Sequence, residues 1–338
     1  MEPKTFAFIL HSRSVEELKK SYPLFRMVPD FILKRSFRAI APFKVFQVKH
    51  IRSIRDKEIR GFFIDCPLLY EAGQEIEERL AFGKIFSAAN LARKMGAQIL
   101  GTDGCTSLFK DGGETVAKHL YMPFTNGNAL TAWTVLEAVY RTAKAKAVDL
   151  KSSTVAVIDA AGPLGSLCAR KLAEYAARII LCGSEQGKLE TLKEKILSLN
   201  SIEATIEANA SRAMREAAII VIAGSGLKEV PENLEAGKII CYVSAAQELV
   251  DKLKSQEAIT GVEAGLIKLP YPMELPLNFG LAKDLVPAAL AETMLLALEE
   301  RFVNYSVGLE MNLDKLEEVA DIAAKHGFEV WVPDAPVL

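Results

Sequence analysis

Cysteine is scarce in this chain and shows no pairing pattern. There are five, Cys66, Cys105, Cys168, Cys182 and Cys241, an odd number with no C-x-x-C spacing. That argues against a disulfide framework or a cysteine zinc site and fits a reducing, cytoplasmic setting. The four histidines, His11, His50, His119 and His326, have no ligand spacing either, so no metal is expected. No apolar run reaches the length of a bilayer span, so no membrane span is expected. The opening MEPKTFAFILHSRSVEELKK lacks a basic stretch ahead of a long apolar one and does not read as a signal peptide. A net charge of −2 offers no bulk attraction to nucleic acid, and none is expected as a partner. Repeats and low-complexity segments are missing as well.

What is present is concentrated in residues 154–184, TVAVIDAAGPLGSLCARKLAEYAARIILCGS. A β-branched run over 155–158 ends in a turn carrying Gly162 and Gly165. An amphipathic helix follows, with Leu164, Leu167, Cys168 and Leu172 at helical spacing, and then a second apolar run over 179–182. This is the strand–turn–helix–strand unit of a Rossmann domain. Its turn lets backbone N–H groups at the helix start approach a pyrophosphate, whose charge the helix dipole favours. Two positions depart from the pattern. The first glycine of G-x-x-G-x-x-G is Asp159, whose carboxylate would repel phosphates. The acidic residue expected after the second strand to hold a ribose is replaced by Gly183 and Ser184. Glu185 or Lys188, just beyond, is placed to read the ribose or a 2′-phosphate. Gly162, Pro163, Leu164, Gly165, Ser184, Lys188, Ala223 and Gly224 form the expected cofactor set, for NADP or NAD. The competing reading is a domain that keeps the fold and has lost the cofactor.

The length suggests about two domains. Strands are expected over 6–10, 45–48, 62–66 and 98–101. A helix starts at 15–20, with Ser14 and Glu17 spaced as a capping box, and a long one covers 75–95. These make an N-terminal α/β domain, 1–127. A helix over 128–147 leads into a Rossmann-type doubly wound parallel sheet, 128–289, with further strands near 203–206, 219–223, 239–243 and 261–267. Pro270, Pro272 and Pro276 mark a loop, a helix is expected over 284–302, and Asn312 and Gly327 bound a last helix, 313–326. The C-terminal helices, 290–338, are assigned to the first domain.

In order and spacing, the segments FAFILHSRSVEEL, DCPLL, ANLARKMGAQILGTDGCTSLF, FTNGNALTAW, TVAVIDAAGPLGS, AETMLLALE and KHGF resemble the cyanobacterial long-chain acyl-(acyl-carrier-protein) reductases. That family lies in the broader shikimate-dehydrogenase-like Rossmann group. The resemblance runs over nearly the whole chain and implies NADPH-dependent reduction of a carrier-bound acyl thioester to an aldehyde, through a cysteine thioester. It matches Gly162 and Gly165 to phosphate-binding glycines, and Thr125, Gly127 and Asn128 to a T-x-G-N-like turn. The arginine it places for a 2′-phosphate is Ser184 here. Its nucleophilic cysteine, two residues before the Ala291–Glu292 pair, is Ala289, so no acyl-enzyme forms at that site.

Cys105 is the candidate replacement, because it follows a strand among small residues, where a helix N-terminus would lower a thiol pKa. Its alternative is a small buried hydrophobe. The other four cysteines read as packing residues. His11, closing the first strand, is a candidate general acid or substrate contact, against a hydrogen-bonded structural role. Asp103, Lys118 and His119 are further titratable groups. Substrate contacts are expected at Thr125, Asn128 and Ala289, in a cleft between the domains. Residues 34–60 carry nine basic and two acidic side chains with Phe37, Phe43 and Phe46 interleaved. This is a surface for an acidic acyl carrier protein or an anionic membrane, or an ordinary solvated face. The expectation is a nicotinamide-dependent oxidoreductase acting on a carbonyl or acyl compound. The alternatives are a catalytically inactive nucleotide- or acyl-binding protein, and a shikimate-type hydroxyl dehydrogenase, whose lysine motif is not found.

Overall fold

The computed structural model describes residues 3–11, 15, 19, 23–68, 78–103, 109, 111–224, 227, 229–243, 247–273 and 281–333. They fall into two compact units. The first comprises 1–127, 269–308 and 322–328, and the second 128–268, 309–321 and 329–338. Thus 269–289, expected with the Rossmann part, lies in the first unit, and 309–321 and 329–338 lie in the second. The expected capping box at Ser14 and Glu17 lies outside the described residues.

The first unit opens with β1 (Lys4–Leu10), a 3₁₀ turn (Pro23–Met27), α1 (Asp30–Ala39), β2 (Phe43–Arg52) and β3 (Glu58–Asp65). It continues through α2 (Glu78–Lys94), β4 (Ile99–Thr102), α3 (Glu114–His119) and β5 (Phe124–Thr125). Its sheet runs β2-β3-β1-β4-β5, parallel except for the β2–β3 pair. Alternation along the strands fills both faces, as in α/β layers. Ala7, Ile9, Ile64 and Leu100 join Ile85, Ala88 and Ala92 of α2 in one core. Phe6 and Phe63 meet edge to face with ring centroids 6.2 Å apart, and Phe46 stacks on Phe63 at 4.4 Å. The helix α1 overlaps the start of the basic segment and has no counterpart among the expected elements. Among the described residues, Leu33 and Phe37 pack it against Val15, Phe25 and Val28. Its C-terminal carbonyls are held by Lys84, which donates to Phe37 O at 2.9 Å and to Ile40 O.

The second unit opens with α4 (Asn128–Ala145) and then β6 (Thr154–Ile158), α5 (Pro163–Leu172), β7 (Arg178–Cys182), α6 (Gln186–Leu199) and β8 (Glu203–Glu207). After these come α7 (Ala210–Glu216), β9 (Ile219–Ile222), β10 (Ile239–Val243), α8 (Gln247–Lys254), β11 (Thr260–Ala264) and β12 (Leu266–Lys268). The six-stranded sheet is parallel throughout and runs β11-β10-β9-β6-β7-β8. Counted from β6, that is the 3-2-1-4-5-6 order of the Rossmann fold. Ile219, Ile220, Val221 and Ile222 are all fully buried, which is why these strands read as unbroken apolar runs.

Two expected elements are corrected. The strand over 261–267 is two strands, because Gly265 adopts φ +90 between them and donates its N–H to Thr134 Oγ1 at 2.8 Å. The helix over 284–302 is β13 (Leu285–Pro287) followed by α9 (Ala288–Leu298). Pro287 has no N–H for a helix interior, so it sits at the helix entrance. The last helix, α10 (Asp314–His326), begins where Asn312 Oδ1 accepts the Asp314 N–H at 3.1 Å, and Gly327 closes it at φ +77. The final strand, β14 (Glu329–Val330), pairs antiparallel with β12.

Candidate functional site

The turn after β6 is built by contacts that tolerate little substitution. Asp159 takes φ +64, a left-handed conformation that Asp accepts more readily than most residues. Its carbonyl accepts the Gly162 N–H at 3.1 Å. A Cβ at Gly165 would overlap that carbonyl oxygen, so glycine is required for the helix to approach the strand. Gly162 is extended, Pro163 occupies the first helical position, and no side chain caps α5. The first-turn N–H groups of Leu164 and Gly165 therefore point into the turn, as an anion site needs.

Beside the turn lies a cavity of about 240 Å³, lined by Ala160, Ala161, Ser166, Gly187, Lys188, Thr191, Leu192, Lys195, Leu309 and Glu310. Lys188 pairs with Glu185 at 2.8 Å, and Lys195 with Glu310. Ser184 is exposed just before α6. Ala223 and Gly224 follow β9, across the switch point of the sheet from the glycine turn. The Asp159 carboxylate stands between them and the turn. A Cβ at Gly224 would overlap its Oδ2, and one at Gly162 would lie 3.6 Å from it. Burial and the nearby Glu185 charge raise the Asp159 pKa, and Lys188 partly opposes them.

In the first unit, Thr125 and Ala289 come together. A Cβ at Gly127, which has φ +75, would overlap the Ala289 backbone. The Thr125 hydroxyl donates to Glu292 Oε1 and accepts the Gly127 N–H at 3.3 Å. Glu292 is fully buried in α9, and Thr293 Oγ1 donates to Ala289 O at 3.0 Å. Asn128, at the start of α4, belongs to the second unit. Cys105 lies outside the described residues. His11 follows β1 and is half-buried. His119 Nδ1 lies 2.8 Å from the Thr115 carbonyl of its own helix, and Lys118 pairs with Glu114 at 2.6 Å, so both have local partners. Cys66, Cys168, Cys182 and Cys241 are buried. Burial pushes the Cys168 thiol up to about 12 and that of Cys182 to about 11. Such thiols are not nucleophiles at neutral pH.

Sequence reasoning missed Ser166, Thr191 and Lys195, and used Glu292 only as a landmark. A single carboxylate inside AALAETMLLAL is a local signal. The cavity wall formed by Leu309 and Glu310 has none. A serine–histidine–carboxylate array also escaped notice. His326 Nδ1 lies 2.9 Å from Ser53 Oγ, and Nε2 lies 2.6 Å from Glu299 Oε1. The carboxylate can only accept, so Nε2 carries the proton and Nδ1 accepts from Ser53. Ser53 is 2% and His326 0% exposed, which denies a substrate access. Ser53 Oγ also accepts the Arg55 N–H at 2.9 Å, and Ile54 N–H bonds to the His326 carbonyl. The array fastens the β2–β3 turn to the end of α10.

The parallel sheet order and the glycine turn at its switch point define a protein with a Rossmann-type fold. The chain is similar to the long-chain acyl-[acyl-carrier-protein] reductase of Synechococcus elongatus, with 25% identity over 315 residues covering 87% of this chain and 89% of that protein. It is also 25% identical over 246 residues to aminotransferase PigE of a Serratia species, covering 70% of this chain but only 28% of that longer protein. Among solved structures, quinate dehydrogenase from Corynebacterium glutamicum in complex with NAD aligns with a TM-score of 0.40 at 10% identity, covering 94% of this chain and 98% of that one. The ligand-free 5-ketofructose reductase of a Gluconobacter strain aligns with a TM-score of 0.40 at 12% identity, covering 95% and 99%. No protein-family profile matches the chain. Among the described residues, no helix is long and apolar enough to cross a membrane, and no cluster of metal-ligating side chains occurs.

Proposed function

We propose that this chain is a nicotinamide-dependent oxidoreductase of carbonyl or acyl compounds that works without an acyl-enzyme at position 289. The observation that carries the reading is the uncapped, glycine-started helix α5 at the switch point of a 3-2-1-4-5-6 parallel sheet. A nicotinamide cofactor, NADP or NAD, would supply hydride when bound. The N–H groups of Leu164 and Gly165 would hold its pyrophosphate, with Gly162 and Pro163 shaping the approach. Ser184 and Lys188 stand where an adenosine ribose or its 2′-phosphate would be read. Ala223 and Gly224 would border the chain of phosphates. In the first unit, Thr125 and Glu292, both fully buried, would hold the backbone beside Ala289 in place rather than touch an acyl group or carbonyl themselves. An acyl substrate would arrive on an acidic carrier protein at α1 and β2. There Arg35, Arg38 and Lys44 are exposed beside Phe31 and Phe43, which are 71% and 43% exposed.

Titrating NADP, NADPH, NAD and NADH against thermal stability tests this. Saturating cofactor, at about 100 times Kd, adds about 2.7 kcal/mol. Gly162→Val blocks the backbone approach and removes the effect, while no stabilisation by any of the four at millimolar concentration refutes the reading. One observation favours a second reading, a protein that binds a nucleotide or acyl group and catalyses nothing. Ala289 is 3% exposed and packed against Gly127, with no thiol to offer.

A further inference from the structure

The phosphate turn holds a negative charge of its own. Asp159 occupies the position of the first glycine of the motif, and its left-handed backbone directs the side chain across the mouth of the turn, between Gly162 and Gly224. The residue as a whole is exposed, while its carboxylate is partly desolvated where it lies against the turn, and among the described residues no donor bonds to that carboxylate. The ionisable groups facing it are Glu185 and Cys182, both on the β7 side, and Lys188. Lys188 pairs with Glu185 at 2.8 Å and partly offsets the charge at Asp159. An incoming pyrophosphate would meet a fixed anion within a few ångströms in the one place where the helix start invites it.

We propose that Asp159 gates this site by charge: as a carboxylate it excludes a dinucleotide, and binding requires its protonation or its withdrawal from the mouth of the turn. The proposal rests on the reading of the turn as a nicotinamide-cofactor site. It makes affinity rise as pH falls, because the protonated side chain no longer opposes the phosphates. A carboxylate whose burial and neighbour both favour the protonated form is suited to such a response.

The test is direct titration of NADH, which lacks the 2′-phosphate and so has no group of its own titrating near pH 6, against the full chain from pH 5 to pH 8. Wild type is expected to bind on the order of ten-fold more tightly at pH 5 than at pH 8, the scale of one close like-charge pair. Asp159→Asn and Asp159→Gly are expected to bind at pH 8 at least as tightly as wild type at pH 5, without a pH slope. Asparagine keeps the shape and glycine restores the motif, so the pair guards against a folding artefact in either. Equal, pH-independent affinities in all three forms overturn the gate and leave the cofactor site standing. Weaker binding by both variants also overturns it and makes Asp159 a ligand contact. If no folded form binds any of the four nicotinamide dinucleotides at millimolar concentration, both the gate and the cofactor reading fall.

Discussion

The glycine turn of the second unit and the Gly127–Ala289 contact of the first are built alike and differ in what they offer a ligand. Each is a close approach of helix to neighbouring backbone that a glycine makes possible. Gly165 admits the Asp159 carbonyl, and Gly127 admits the Ala289 backbone. In each, one side chain departs from what the resembling family implies. The glycine turn carries a carboxylate at Asp159, whereas α9 carries Ala289 where that family has a cysteine. The first change adds a charge that a proton can remove. The second deletes a nucleophile that no change of conditions restores. The backbone frame and the chemistry it carries are thus separable, and the glycines report on the frame alone.

The largest effects should come from filling those glycines. Gly127→Ala combines a left-handed φ with overlap against Ala289, and Gly165→Ala forces a Cβ into the Asp159 carbonyl. Each should cost about 3 kcal/mol or more, Gly127→Ala from strained backbone plus overpacking and Gly165→Ala from overpacking alone. Chemical denaturation of the two variants measures this. If Gly165→Ala is tolerated while Gly127→Ala is not, the two frames are not equivalent and the phosphate turn is the softer.

Next in size is an acid-dependent contribution confined to the first unit. Burial works against a charged Glu299, yet hydrogen bonds from Lys325 and His326 and the charge of Lys57 outweigh it and hold the carboxyl at about 2. A carboxyl depressed in the folded state stabilises it above the ordinary value near 4.5, and that stability is lost as pH falls from there towards 2. The ceiling is about 3 kcal/mol, because a tenfold change in proton affinity corresponds to about 1.4 kcal/mol. His326, whose pKa burial lowers against the pull of Glu299, acts in the same direction below its ordinary value. Thermal melts between pH 5 and pH 2 should fall more steeply for wild type than for Glu299→Gln, which starts less stable at neutral pH. Parallel curves would show that the array contributes no acid-sensitive stability.

How much of this was legible beforehand depends on how local the cause is. The unit from β6 through β7 was readable because a parallel strand buried on both faces leaves an unbroken run such as Val155 to Ile158, and because a glycine turn is contiguous. The helix α1 was hidden, since among its described residues Leu33 and Phe37 alone are buried and its support comes from Lys84, forty-odd positions away. The 284–302 segment misled because a helix apolar on all sides gives no phase, so Pro287 went unused as a boundary. The Thr125–Glu292 bond and the cavity wall at Leu309 and Glu310 are long-range contacts, and no spacing along the chain encodes them. The left-handed Asp159 was visible as a misfit residue and Gly224 as a site residue, but their mutual contact was not.

The smallest expected change in stability is also the one that probes the comparison most directly. Ala289→Cys adds one sulfur beside Gly127 and should cost about 1 kcal/mol, the low end of the range for enlarging a packed core residue. Its reactivity is limited by its surroundings. The ionisable neighbour built into this contact is Glu292, bound through Thr125 to the same turn. A carboxylate beside a thiol disfavours the thiolate, so acylation by a long-chain acyl thioester should be slow and should quicken as pH rises. Wild type should form no adduct at all. Intact-protein mass spectrometry reads both outcomes. An adduct in Ala289→Cys alone would show that the acyl-facing frame survives and lacks only its sulfur. An adduct in wild type, mapped to Cys105, would break the comparison, because the nucleophile would then have moved rather than vanished.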